Sequence, residues 1–178
     1  MDYLKFLLES IREGGVFMQW LETRRLEFAP LMAAKFSLML EGKSFILMSD
    51  EPRAWYERYF LQNINAKSYR PFVPVFSLDN FYPHKVKNND DIILLNDLLE
   101  TAFPSGFVYF YIGSNKDIRF QIARSRDDSL LWLLDEQLQN SFLLSSKDSE
   151  LDEKLITLYK LFDKSLEAIL FSRVSRWA

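Results

Sequence analysis

The sequence predicts one α/β domain over residues 1–178: a parallel sheet flanked by helices, with a helical N-terminal segment over 1–42 packed on it. Three observations carry this reading. From Lys43 onward, strand-sized apolar runs alternate with segments of helical periodicity, the pattern of right-handed strand–helix–strand crossovers. Apolar residues make up 48% of the chain, and a chain this long buries about 70% of its unfolded surface, so the core needs no covalent staple. No internal repeat, low-complexity tract or interdomain linker divides the sequence.

The elements follow in order. Asp2 can cap a helix in which Leu4, Leu7, Leu8 and Ile11 share a face. Gly14-Gly15 interrupts it, and Val16, Phe17, Trp20 and Leu21 restart an amphipathic pattern, as in a kinked helix or two short ones. Pro30 suits the first turn of a helix over Leu31–Leu40, and Gly42 the position just past its end. Ser44–Ser49 reads as a strand covered on both faces. Glu51-Pro52 opens a helix through Trp55, Tyr56, Tyr59 and Phe60, and Val73–Leu78 reads as a second strand with Pro74 near its start. Asp90 or Asp91 is expected to cap a helix carrying Ile92, Leu95, Leu98, Leu99 and Ala102, ended by Phe103-Pro104. Phe107–Ile112, bracketed by Gly106 and Gly113, is the clearest strand. Phe120–Ala123 and Ser141–Leu144 are read as further strands around a helix at Ser129–Leu138. A final helix is expected from Asp148 or Ser149 to about Arg176, roughly 40 Å at 1.5 Å per residue.

Composition removes several function classes. Without cysteine there is no disulfide framework, thiol catalysis or thiolate metal site, and the single histidine, His84, cannot build a multi-histidine centre. A net charge of −3 disfavours direct duplex binding, which relies on clustered Lys and Arg. Met1-Asp2-Tyr3 lacks the basic character of a secretory signal, and no apolar run has bilayer-spanning length. The expectation is a soluble cytoplasmic protein with no membrane partner. Aromatic residues reach 16%, a high content that a single domain can bury and that a subunit interface would also use.

In an open parallel sheet the ligand site lies at the carboxyl ends of the strands. The turn after the first strand, Ser49-Asp50-Glu51-Pro52, has no glycine for close backbone approach and carries two carboxylates that would repel a phosphate, so Asp50 and Glu51 are read as capping residues. His84 has Asp79 as its nearest carboxylate in the sequence and no nucleophile motif around it. Asp90-Asp91 and Asp127-Asp128 could hold Mg²⁺ but precede helical patterns and read as caps. Arg24-Arg25 and Arg124-Ser125-Arg126 are each flanked by acids, the mark of a solvated or protein-contacting surface. Tyr109 and Tyr111 read as core packing rather than base-stacking platforms. No catalytic residue, metal site or cofactor is assigned.

Several colinear stretches carry a family resemblance. Ser49-Asp50 followed by Arg53-Ala54-Trp55, then Arg70-Pro71 and Phe81-Tyr82-Pro83, form the first part. Leu131-Trp132-Leu133, Asp148-Ser149-Glu150-Leu151-Asp152 and Leu158-Tyr159-Lys160-Leu161-Phe162 form the second. Together, from the Ile11-Arg12 region to Val174, they resemble the HobA family of bacterial regulators of replication initiation, the functional counterpart of DiaA. The resemblance implies a modified sugar-isomerase-type, Rossmann-like fold with a five-stranded parallel sheet. It also implies a homotetramer, a dimer of dimers, that binds the N-terminal domain of the initiator DnaA, promotes its assembly at the origin, and meets DNA only through DnaA. Sugar-isomerase domains hold phosphosugars in hydroxyl-rich loops. The acidic Ser49–Pro52 turn departs from that pattern, and the alternative of a phosphosugar-binding enzyme or sensor is weighed against it.

Two surfaces are singled out as expectations. Phe17, Met18, Trp20 and Leu21, with Leu26 and Phe28, carry more apolar bulk than one face of a surface helix needs and are expected at a subunit interface. On the final helix Glu153, Lys160, Lys164 and Glu167 mark one charged face. Extending it reaches Phe171, with Val174, Arg173 and Arg176 beside it, a composition suited to partner binding.

Overall fold

The computed structural model describes residues 2–82 and 85–174. These divide into two compact units: a helical one, residues up to Ser37 and from Ser145 onward, and a sheet-containing one, Leu38–Leu144.

The helical unit holds α1 (Tyr3–Glu13), most of α2 (Trp20–Leu40) and α6 (Leu151–Leu170). Asp2 caps α1 by accepting from the Lys5 N–H. The buried face of α1 is Tyr3, Phe6, Leu7, Ser10 and Ile11, rotated from the expected one, and Leu4 is exposed. Gly14-Gly15 ends α1, with Gly15 at φ 68°, and a single 3₁₀ turn at Val16–Met18 leads into α2. α2 does not begin at Pro30. It runs through that proline, which is exposed like Leu26 one turn before it, so the carbonyl freed by the missing N–H lies on the water-facing side. Phe36 of α2 meets Phe162 of α6 with ring centroids 5.0 Å apart. The Trp20 indole N–H donates to Thr157 Oγ1 at 3.2 Å, and Lys154 sits over the same ring.

The sheet unit contains β1 (Ser44–Ser49), α3 (Ala54–Ile64), β2 (Val75–Ser77), α4 (Asn89–Ala102), β3 (Phe107–Ser114), α5 (Ile118–Arg124), β4 (Leu130–Leu134) and β5 (Ser141–Leu144). All five strands are parallel, in the order β2-β1-β3-β4-β5. Side chains alternate across the sheet. Ile46, Met48, Tyr109, Tyr111, Leu131 and Leu133 form one core with Ile92, Leu95 and Leu99 of α4 and Phe120 and Ile122 of α5. On the opposite face Phe110 packs edge-on against Trp132 at 4.8 Å and Phe60 of α3 at 5.4 Å. The stretch before β2 is pinned by Asn65, whose side-chain amide exchanges hydrogen bonds with the Val73 backbone at 2.8 and 2.9 Å.

The segment from 118 to 138 inverts the sequence reading. Phe120–Ala123 is helical, not a strand, because Asp117 caps it by accepting from Arg119 N at 2.8 Å. Ser129–Leu138 holds strand β4, not a helix: Leu130–Leu134 is buried at every position, and a short, uniformly apolar run has no period with which to tell strand from helix. The segment leaves β4 through Asp135 at φ 63° and enters β5 after Asn140 at φ 62°. β2 is shorter than expected, with Leu78–Asn80 forming a 3₁₀ turn. The cap of α4 is Asn88, which accepts from Asp91 N at 3.0 Å while the Asp91 carboxylate accepts from Lys87 N at 2.7 Å, a reciprocal cap that neither aspartate provides alone. Asp127-Asp128 precedes a strand, and Asp128 pairs with Lys43 and Arg126 instead of capping a helix.

The final helix stops at Leu170. Ser172 takes the left-handed conformation (φ 53°), its N–H reaches the Ile169 carbonyl at 3.1 Å, and Arg173 N–H reaches Ala168 at 2.8 Å. This is the reciprocal bonding that closes a helix C-terminus. Among the described residues no helix is long and apolar enough to cross a membrane.

Candidate functional site

The strand order changes direction between β1 and β3, and the crevice at such a switch point is where α/β sheets place ligands. An open cleft of about 1000 Å³ lies there, lined from the turn after β1 (Asp50, Glu51), from α3 (Glu57, Arg58) and from the segments beginning at Ser77 and Asp117. Its charged lining comprises five carboxylates and three cations.

The buried polar groups at its base already serve one another. Ser49 Oγ at the end of β1 donates to Glu57 Oε2 at 3.0 Å, and Ser77 Oγ at the end of β2 donates to Glu57 Oε1 at 2.7 Å. Arg119 stands 3.7 Å from Glu57, donates to Asp79 Oδ1 at 2.8 Å, and reaches the Ser49 carbonyl at 3.3 Å. The sequence pattern makes Asp50 a side-chain cap of the following helix, and the structure differs. Asp50 is instead buried, accepts the Ser114 N–H at 2.8 Å and is forked by Arg53. Gly113 makes this approach possible: a Cβ there would sit 2.5 Å from Asp50 Cγ and 2.7 Å from the Tyr111 hydroxyl, at φ +154°. Burial, followed by the nearby Asp50 and Asp117 charges, raises the Tyr111 phenol well above its ordinary value, and its hydroxyl donates to the Ser114 carbonyl at 2.7 Å. Tyr109 is raised by burial too and donates to Asn96 at 2.8 Å, so both tyrosines are core groups, as their alternation implied. Glu51 is exposed at the cleft rim. His84 lies outside the described residues, and among those described no cluster of three metal-ligating side chains occurs.

Three of the four arginines in the basic clusters are engaged locally. Arg24 pairs with Glu27 at 2.8 Å, Arg25 donates to the Glu22 carbonyl, and Arg126 pairs with Glu100 at 3.1 Å while lying over the Phe107 ring. No continuous cationic track is left for a phosphate backbone by these residues.

The two apolar surfaces singled out from the sequence are only partly assembled. Phe17 is 75% exposed, with Val16 at 82% and Leu26 at 65%. Met18 and Leu21 are buried in the helical unit and Trp20 is half-buried, because the 3₁₀ turn and the start of α2 direct alternate side chains inward. Phe171 is 40% exposed, with the Arg173 guanidinium 5.7 Å from its ring centroid and 3.8 Å from Glu167. Val174 is buried rather than exposed beside it, since the left-handed Ser172 turns the chain off the helix axis. Arg176 lies outside the described residues. Sequence reasoning missed a third surface: Ile93, Leu94 and Leu98 of α4 are each about half exposed beside Asp90, Asp97 and Glu100. The signal was present, since α4 carries apolar residues on more than one face.

Comparison with known proteins agrees with this layout. Residues 1–176 match the family model of HobA, described as a DNA replication regulator. The chain is 32% identical to the DNA replication regulator protein HobA of Helicobacter pylori (strain ATCC 700392 / 26695), over 98% of each sequence. Among solved structures it resembles a chain of the Helicobacter pylori HobA–DnaA (domain I–II) complex, with a TM-score of 0.78, 30% identity and coverage of 98% and 99% of the two chains. It also resembles HobA of the same organism alone, with a TM-score of 0.77, 30% identity and 98% coverage of both. The five-stranded parallel sheet, the switch-point cleft and the whole-length match lead to one conclusion: the chain belongs to the HobA family of DNA replication regulators.

Proposed function

We propose that the protein is a cytoplasmic, non-enzymatic adaptor that binds the N-terminal domain of DnaA and promotes its assembly at the replication origin, touching DNA only through DnaA. One observation carries this reading: the whole-length similarity to a HobA chain solved in complex with DnaA domain I–II. The cleft chemistry supports the absence of catalysis, because Ser49 and Ser77 hydroxyls donate to Glu57 and Arg119 is held by Asp79.

The adaptor is a homotetramer, a dimer of dimers, in this proposal. Phe17, with Val16 and Leu26, contributes the subunit contact, while Met18, Trp20 and Leu21 anchor that segment within its own unit. Phe171 and Arg173 form the partner-binding spot, with Val174 fixing the turn beneath them; an aromatic stacked by an arginine and buried on binding contributes about 2 kcal/mol or more. The test is titration of the purified protein with the DnaA N-terminal domain, alongside an assay of phosphosugar turnover. Saturable binding without turnover is expected. Turnover of a phosphosugar, or no binding, would overturn the proposal and favour the sugar-isomerase-type alternative or another partner.

A further inference from the structure

The base of the cleft, together with Ser49 buried next to it, contains the donor set of an anion site. Two hydroxyls, from the last residues of adjacent parallel strands, donate to the two oxygens of one carboxylate: Ser49 Oγ at 3.0 Å and Ser77 Oγ at 2.7 Å. The Arg119 guanidinium approaches the same carboxylate at 3.7 Å. That carboxylate belongs to Glu57, in the first turn of α3, where the helix dipole also favours negative charge. Ser49, Ser77 and Glu57 are all more than nine-tenths buried, so the arrangement is built into the fold rather than displayed on its surface. Hydroxyls and a guanidinium converging on one buried point at a helix N-terminal turn is how proteins hold small oxyanions.

We propose that Ser49, Ser77 and Arg119 form an anion-binding site that the chain fills with its own Glu57 side chain, and that the site takes up a small free carboxylate once that side chain is removed. The tethered carboxylate has a second consequence. Any phosphate ester entering the cleft would have to displace a charge that cannot diffuse away, so the donors at the strand ends are closed to phosphosugars in the native protein.

Glu57→Ala removes the equivalent of one acetate ion, which makes acetate the matched probe. The experiment measures thermal unfolding of the wild type, Glu57→Ala and Glu57→Gln in sodium acetate and in sodium chloride at equal ionic strength and pH 7. The expected result is a lowered Tm for Glu57→Ala that acetate raises in proportion to the logarithm of its concentration once above its dissociation constant, by about 3 °C near ten times that constant. Wild type and Glu57→Gln, whose sites stay filled, should respond alike to the two salts. If Glu57→Ala is recovered unfolded, the same salts are compared for recovery of native circular dichroism on refolding, with acetate expected to succeed where chloride does not. Equal behaviour of Glu57→Ala in acetate and chloride, or an acetate effect of the same size in the wild type, would overturn the proposal.

Discussion

The cleft at the strand ends and the surface of the helical unit treat their side chains in opposite ways. In the cleft, hydroxyls, guanidinium and carboxylates are matched to one another: Ser49 and Ser77 to Glu57, Arg119 to Asp79, and Asp50 to Arg53 and the Ser114 N–H. On the helical unit Val16, Phe17, Leu26 and Phe171 stand in water with at least two-fifths of their surface exposed. Polar groups that satisfy one another leave little for a ligand to gain. Exposed aromatic and branched side chains gain by being covered. At the strand ends, where this kind of fold places ligands, the buried donors are already engaged, whereas the apolar surfaces still gain from being covered.

The comparison can be broken most sharply at Gly113. Gly113→Ala puts a methyl group 2.5 Å from buried Asp50 and imposes a side chain at φ +154°. The expected loss is about 3 kcal/mol or more, read as a fall in the urea midpoint, since both the backbone and the Asp50 network must shift. A change below about 0.5 kcal/mol would mean that Asp50 and the Tyr111 hydroxyl are not held against Gly113 as described.

Phe17→Ser probes the opposite region. The side chain is 75% exposed, so the fold should keep its circular dichroism spectrum and its Tm within a few degrees. The proposed subunit contact should weaken by about tenfold or more, seen in light scattering as a smaller particle at micromolar concentration. An unchanged particle mass would remove Phe17 from the interface.

The smallest effect is expected at the start of α6. The Lys154 ammonium hydrogen-bonded to Asp148, helped by the Glu150 N–H at 2.9 Å, holds the Asp148 carboxyl below its ordinary value. A lowered folded-state value means that this group adds stability above its unfolded value of about 4 and loses it as pH falls through the folded one. Both side chains are partly exposed to water, so Asp148→Asn should cost no more than about 1 kcal/mol at pH 7, with the difference from wild type shrinking below pH 4. A difference that grew with acid would contradict the assignment.

How much was legible depended on whether a local residue marked the event. Gly42 announced the end of α2 and does end it, at φ 93°, with N–H bonds from Gly42 to Met39 and from Lys43 to Leu38. The end of α6 uses the same geometry with Ser172 in the left-handed position, and serine there carries no comparable signal. That one residue separates the expected exposure of Val174 from its burial. β4 and α5 were exchanged for a related reason: a five-residue apolar run and a seven-residue capped one are too short for periodicity to decide. The closed chemistry of the cleft was half legible. The acidic, glycine-free turn at Asp50-Glu51 was visible, but Glu57, Ser77 and Arg119 meet only through the parallel pairing of β1 and β2 and the placement of α5.

The proposed division between a closed cleft and a partner-binding surface is tested most directly by titrating fluorescently labelled DnaA N-terminal domain with three proteins: wild type, Phe171→Ala and Arg58→Glu. Phe171 is exposed on the helical unit, and Arg58 is exposed on the cleft wall. Phe171→Ala should raise the Kd by about thirtyfold or more while Arg58→Glu leaves it within about twofold of wild type. Loss of binding in Arg58→Glu together with wild-type affinity in Phe171→Ala would place the partner in the cleft and contradict the account.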